Sequence, residues 1–147
     1  MTAMAKVNAR SSRQFDAPPE RVLEFLRDYR EQRPKILTDN YTAYRVEQGG
    51  HGQGTVIGFH FAAGGRERDY RLRANEGDGS LTERDELSSF VSTWTVTAAG
   101  TGSTVTLAAS WDGAGGIGGI FEGFFAPLGL RRIYTQVLDR LAAALTS

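Results

Sequence analysis

Between Tyr41 and Trp111 apolar and polar residues alternate with a period of two, and a turn-forming break arrives every 8 to 12 residues. The breaks "QGGHGQG", "AAGGR", "EGDGS" and "AGTGS" separate runs rich in Val, Thr, Phe, Tyr and Trp. Glycine at such breaks supplies the positive φ that tight hairpins need, so successive runs are joined as antiparallel neighbours. The spacing predicts strands near 41–48, 54–62, 66–75, 80–86, 89–98 and 103–111. A chain with this pattern has little choice but a meander.

The flanks follow other periods. Val7, Ala9, Ser11, Arg13 and Phe15 make an imperfect strand that stops at "DAPPE", where Asp16 is placed to cap a helix whose first turn holds two prolines and Glu20. Val22, Phe25, Leu26 and Tyr29 then recur at helical spacing; Pro34 interrupts, and a short second helical piece is expected near Lys35 to Leu37. Beyond Asp112 the period is helical again. Ile117, Ile120, Phe121, Phe124 and Leu128 fall on one stripe, and Leu130, Ile133, Tyr134, Val137, Leu138, Leu141 and Leu145 continue it. The phase slips around Pro127 and Gly129, which predicts a kink or a loosened turn. No repeat or linker divides the chain, so residues 1–147 are read as one α+β domain.

Composition narrows the function classes. Seventeen basic residues balance seventeen acidic ones, and no field arises that would gather nucleic acid or an anionic membrane. The absence of cysteine removes disulfides and thiolate metal sites, and two histidines, His51 and His60, do not make a histidine metal site by themselves. No signal-like or membrane-spanning apolar run stands out, so a cytoplasmic protein without metal or cofactor is expected.

Several phrases carry a family resemblance. "FDAPPERVLEFLRD" looks like a strand-to-helix junction, "GQGTVIGF" like the start of a third strand, and "FFAPLGLRRIYTQVLDRLAAAL" like a closing helix of the START-like (SRPBCC) helix-grip superfamily. The resemblance points to its bacterial polyketide cyclase/dehydrase and lipid-transport branch. "VEQGGHGQGT" is also similar to the glycine-rich hairpin of the related plant pathogenesis-related allergens. The resemblance spans nearly the whole chain and implies a strongly curved antiparallel sheet of about seven strands wrapped around the last helix, with an internal cavity. It specifies fold well and function poorly, because members range from cyclases to passive carriers.

Side-chain parity gives an independent view of that cavity. Tight turns at His51-Gly52, Gly64-Gly65, Gly77-Asp78, Leu87-Ser88 and Gly100-Thr101 pair Val46 with Ile57, Ile57 with Leu72, Leu72 with Glu83, Glu83 with Ser92, and Ser92 with Ala109. The adjacent rows run Tyr44, Phe59, Tyr70, Asp85, Phe90, Trp111 and Ala74, Leu81, Trp94, Leu107. Strand side chains alternate, so all of these share one face, opposed by Phe121, Phe124 and Leu128 of the last helix. Thr93, Thr95, Thr97, Thr104 and Thr106, with Glu67, Asp69, Arg71 and Arg73, take the other face.

An aromatic inner wall is ordinarily plain core. Here Arg68, Tyr70, Glu83, Asp85 and Ser92 intrude on it, and buried carboxylates need partners. A wet or ligand-filled cavity accounts for them; a slipped fifth strand is the alternative. Glu83 and Asp85, two apart on one strand, would have raised pKa values between aromatic walls and, with Tyr70, would suit general acid/base cyclisation or dehydration. The competing reading is that Arg68 or Arg84 pairs with these acids at the sheet rim. His60 belongs to the outer face and His51 to a hairpin tip, so no Ser-His-Asp nucleophile system is visible.

The stretch "DGAGGIGGIFEGFF" contains Gly113, Gly115 and Gly118 at the spacing of a dinucleotide loop. Its context is wrong, because it follows the last strand of a meander and leads to no second strand. Gly113, Gly115, Gly116, Gly118 and Gly119 read instead as a gate between sheet and helix. The leading expectation is a monomeric or homodimeric carrier or binding protein for a hydrophobic small molecule: a lipid, isoprenoid or polyketide-like compound. A cofactor-independent polyketide cyclase/dehydratase and a protein-interaction or toxin-type module are the alternatives.

Overall fold

In the computed structural model, residues 6–112 and 126–146 are described. The proposed gate glycines, with Phe121 and Phe124, lie outside the described residues. The elements run β1 (Lys6–Phe15), α1 (Pro19–Arg27), a 3₁₀ turn (Arg33–Ile36), β2 (Tyr41–Gln48), β3 (Val56–Ala63), β4 (Arg66–Gly77), β5 (Ser80–Asp85), β6 (Val91–Ala99), β7 (Gly102–Asp112) and α2 (Pro127–Thr146). The seven strands form one antiparallel sheet in the order β1-β7-β6-β5-β4-β3-β2. Six strands are thus a simple meander, and β1 closes onto β7, as Ala9↔Ala109 and Phe15↔Ser103 record.

The register follows the turn residues except between β4 and β5 and along β2–β3, where it shifts twice. Ile57↔Leu72, Glu83↔Ser92 and Ser92↔Ala109 pair as the parity argument requires. Between β4 and β5 the tight turn is Asp78-Gly79, so Ala74 rather than Leu72 faces Glu83, and Leu72 faces Asp85. Gly79, at φ +69, takes the left-handed position there. The pairing has moved by two residues, and a two-residue slip leaves every side chain on its face. β2 carries a bulge between Thr42 and Arg45, where Ala43 sits at φ 56.

Two local expectations change. Asp16 does not cap α1: Pro18 is the N-cap, and its carbonyl accepts from the amides of Arg21 (3.1 Å) and Val22 (3.2 Å). Pro18 and Pro19 hold φ near the helical value without any side-chain cap. Likewise Pro34 does not interrupt a helix but begins one, the 3₁₀ turn at Arg33–Ile36. Pro127 begins the described span of α2, and the residues before Ala126, on which the expected kink or loosened turn depends, lie outside the described residues.

The core lies between the inner sheet face and the helices. Val22, Phe25 and Leu26 of α1 are buried, as are Leu130, Ile133, Tyr134, Val137, Leu138, Leu141 and Leu145 of α2. Each fully buried aliphatic side chain contributes about 1.5–3 kcal/mol relative to exposure. α2 lies against β1 and the 3₁₀ turn, while α1 lies against β6 and β7. Among the described residues of the predicted stripe Leu128 is the exception: it is 60% exposed. The described helix starts at Pro127, and its buried face begins with Leu130.

Candidate functional site

The 3₁₀ turn delivers an arginine to the middle of the molecule. Arg33 is buried, and both terminal nitrogens face Glu83 of β5: Nη1 donates to Oε2 at 2.7 Å and Nη2 to Oε1 at 3.1 Å. Nη1 also donates to the Leu26 carbonyl at 3.0 Å, and the Tyr29 hydroxyl donates to Glu83 Oε2 at 2.6 Å. The guanidinium lies 4.7 Å from the Tyr29 ring centre and 5.2 Å from that of Trp94, both cation–π distances. Burial works against the arginine's charge and the Glu83 anion works for it; the anion wins, and Arg33 is held above the usual arginine range. Burial, then the Glu83 charge, pushes the Tyr29 phenol up. This is a closed, neutral ion pair joining α1 and the 3₁₀ turn to the sheet.

Asp85 has a different setting although it shares the strand face. Its Oδ1 accepts the Arg71 amide at 2.9 Å and its Oδ2 accepts the Ser88 hydroxyl at 2.6 Å. The carboxylate thereby caps the β5–β6 connection, with Arg68 Nη2 standing 3.9 Å away. Arg84, the other expected partner, is exposed. The strand ends at Asp85, so its side chain serves the turn.

Beside the ion pair lies a cavity of about 50 Å³ whose lining includes Tyr44, Ile57, Phe59, Tyr70, Leu72, Glu83, Phe90, Ser92, Trp94 and Leu107 from the predicted inner face. Asp85, Arg68, Trp111 and Leu128, also expected there, do not line it. Asp85 is turned into its own loop, Arg68 lies over the Tyr70 ring at 5.1 Å, and Trp111 stacks on Phe90 at 6.0 Å. The wall is a continuous run of ring contacts. Tyr41–Phe59 (5.2 Å), Phe59–Tyr70 (5.4 Å) and Tyr70–Phe90 (4.9 Å) cross from β2 to the β5–β6 connection. Such pairs add about 0.5–1.5 kcal/mol each beyond area burial.

Sequence reasoning missed Arg33, Ile36, Leu37, Tyr41, Phe61, Leu130, Tyr134 and Val137 as lining residues. Arg33 sits in the polar run "EQRPKI", with no periodic signal to single it out among fifteen arginines. The available hint was the demand for a cation created by an inward Glu83. Tyr134 was visible as a core position of α2, but not as one facing open space.

Tyr41, Tyr70 and Tyr134 bring three hydroxyls from β2, β4 and α2 to this cavity, and Ser92 adds a fourth from β6. Burial raises Tyr70, with Arg68 opposing and Asp85 assisting. Burial also holds Tyr134 well above the ordinary phenol range, and the nearby Tyr41, Tyr70 and Glu83 push the same way. All three phenols are therefore neutral donors at physiological pH.

Elsewhere, the glycine-rich hairpin is not a phosphate cradle. Its amides point inward, Gly52 to the Arg27 carbonyl (2.8 Å), Gly54 to that of Ala74 (3.0 Å) and Gln53 to the Glu76 carboxylate (3.1 Å). His51 reaches Glu24 at 3.1 Å, and His60, on the outer face, meets Asp69 at 2.8 Å and Glu67 at 3.0 Å. The Asp69 hydrogen bond, together with Glu67, raises the His60 pKa. Among the described residues no group of three His, Asp or Glu is placed to hold a metal, and no helix is long and apolar enough to cross a membrane.

A seven-stranded antiparallel sheet closed by a long C-terminal helix, with a cavity between them, defines the helix-grip class. Within that class the chain belongs to the polyketide cyclase / dehydrase and lipid transport family, which it matches over residues 6–146. The NMR solution structure of the KanY protein is similar over 98% of this chain and 100% of that one, with 43% identity and a TM-score of 0.88. Norcoclaurine synthase from Thalictrum, a point mutant in complex with a transition-state analogue, shares the fold at a TM-score of 0.75 and 11% identity, over 99% of this chain and 98% of that one. Major latex-like protein 151 from Panax ginseng does so at 0.73 and 14%, over 97% and 99%. No curated protein matches the sequence.

Proposed function

We propose that the protein binds a hydrophobic small molecule between the sheet and α2, as a carrier or binding protein. The observation that carries this reading is the ring-walled cavity, bounded by Tyr41, Phe59, Phe61, Tyr70 and Phe90 on one side and by Tyr134 on the other. Family membership supports it, since lipid transport is part of the family's description. The cavity as it stands is small. A water needs about 10–15 Å³ of such space, so about 50 Å³ suits a few waters, whereas drug-sized ligands occupy sites of about 300–1,000 Å³. Uptake therefore requires the wall to open.

Catalysis is the less supported activity. Both Glu83 oxygens are occupied by Arg33 and Tyr29, and Asp85 is occupied by Arg71 and Ser88. Hydrogen bonds that hold the anion make each carboxylate a weaker general base. Of the three catalytic candidates Glu83 and Tyr70 line the cavity, and Glu83 does so with its charge held by Arg33.

The small cavity volume favours a second reading, a filled-core interaction module. Native mass spectrometry of freshly purified protein, with displacement of a fluorescent apolar probe, separates the two. A co-purifying apolar mass or saturable probe uptake is expected. Neither ligand nor uptake would leave the filled-core module standing.

A further inference from the structure

β1 is an open edge of the sheet, with β7 as its one strand neighbour. Val96 gives its amide to the Gly79 carbonyl on the β5 side at 2.8 Å. Hydrogen bonding alternates along a strand, so Thr95 and Thr97 face β7, and their partners Thr106 and Thr104 face β6. Val105, Leu107 and Ala109 are then turned to Arg13, Ser11 and Ala9 of β1. The backbone N–H and C=O groups of Asn8, Arg10 and Ser12 are left pointing out along the free edge. The opposite edge, β2, is broken by two register shifts and by Ala43 at φ 56, features that blunt an edge against pairing. β1 has neither. It keeps one register over 10 residues, from Lys6↔Asp112 to Phe15↔Ser103, and contains no proline.

A shallow groove follows this edge, between Asn8, Arg10 and Ser12 on one side and Leu128, Arg131 and Thr135 of α2 on the other. The Ser11 and Thr135 hydroxyls, 2.8 Å apart, and the Arg13–Asp139 ion pair at 3.4 Å hold α2 alongside β1, so the groove is preformed. Leu128 lies in it, exposed. Among the described residues no acid lines the groove, and the exposed Arg10 and Arg131 have no ion-pair partner. A strand edge offers donors and acceptors in alternation, a pattern that an extended polypeptide matches and a lipid or nucleic acid does not. A second copy of β1 would set Lys6, Arg10 and Arg13 against like charges. We therefore propose that the β1 edge docks an extended acidic peptide segment of a partner protein, added to the sheet as a further strand. Its acids stand beside Arg10 and Arg131, and an apolar side chain covers Leu128. The edge shares no residue with the cavity lining, so this docking goes beyond ligand binding and does not depend on it.

The probe is a capped, fluorescein-labelled peptide, EVELEVE, titrated into the full chain and followed by anisotropy. Saturable binding is expected, weakening as salt rises. The counterpart KVKLKVK is expected to bind about 10-fold more weakly or worse. Arg10→Glu combined with Arg131→Glu reverses that preference. Asn8→Pro removes one edge amide and no bond to β7, and is expected to weaken EVELEVE about 3- to 10-fold. N-methylation of every second peptide residue abolishes binding in one frame and spares it in the other. Bound peptide slows hydrogen exchange at the Asn8, Arg10 and Ser12 amides. Unchanged thermal midpoints and unchanged exchange at Ala9 and Ser11 report that the variants are folded. Binding that survives both methylation frames is charge attraction alone and overturns strand addition. Indifference to the arginine reversals overturns the acidic partner. The absence of binding overturns the site, and a concentration-dependent dimer that protects the same amides without peptide gives the edge to a second copy instead.

Discussion

At the scale of single residues, the arrangement turns on which charges find partners. Arg33 and Glu83 are both nearly fully buried, so solvent screens their attraction little and each depends on the other. Removing one partner leaves an uncompensated charge in the core, which typically costs about 3–5 kcal/mol. Arg33→Met and Glu83→Leu are each expected to lose that much in urea denaturation, while the double variant loses well under the sum. Additive losses would mean that the pair does not interact as described. The sequence placed Glu83 on the inner face, and of the two cations it offered for the acids Arg68 stands by Asp85, whereas Glu83 takes Arg33. Inward pointing is a matter of parity, which is local. Partner choice depends on a turn fifty residues earlier in the chain.

Elements show where periodicity suffices and where it stops. The α2 stripe from Leu130 to Leu145 is buried as its 3.6-residue spacing requires. Leu128 belonged to the same stripe on paper, yet it projects from the first turn. Leu130→Ala is therefore expected to cost about 2–5 kcal/mol, and Leu128→Ser less than about 0.5 kcal/mol, in thermal or chemical unfolding. A large loss from Leu128→Ser would restore it to the core. The β4–β5 turn makes a related point. "EGDGS" offers two glycines, and neighbouring dipeptides compete to be the turn; the choice of Asp78-Gly79 moved the register by two residues and left the inner face unchanged. Parity survives errors that pairing does not.

For the molecule as a whole, the five tyrosines form a single pH-sensitive population. Tyr29, Tyr41, Tyr70 and Tyr134 are raised by burial, and burial puts Tyr44 at about 12. Below pH 10 the phenols are protonated in both folded and unfolded chains, and they confer no pH dependence. Above about 10 the unfolded chain releases protons that the folded chain keeps, so stability falls as pH rises. Absorbance at 295 nm should show little phenolate near pH 10 in folded protein. At higher pH the signal of all five is expected to rise together with loss of the fold. Smooth ionisation of the buried phenols near pH 10, with the fold intact, would contradict this environment.

Alternation, turn glycines and the helical stripes are properties of neighbouring residues, so the sequence by itself determined the antiparallel meander and its inner face, while the helix-grip class was implied by the family resemblance and the place of β1 beside β7 is seen only in the fold. Those signals act within about ten residues of chain. The site is assembled from elements far apart, and only the tertiary structure decided its contents. It brought Arg33 to Glu83, returned Asp85 to its own turn, and set Tyr134 of the last helix beside Tyr41 and Tyr70. The physical reason is that burial and charge pairing are settled by three-dimensional neighbours, which spacing along the chain does not encode.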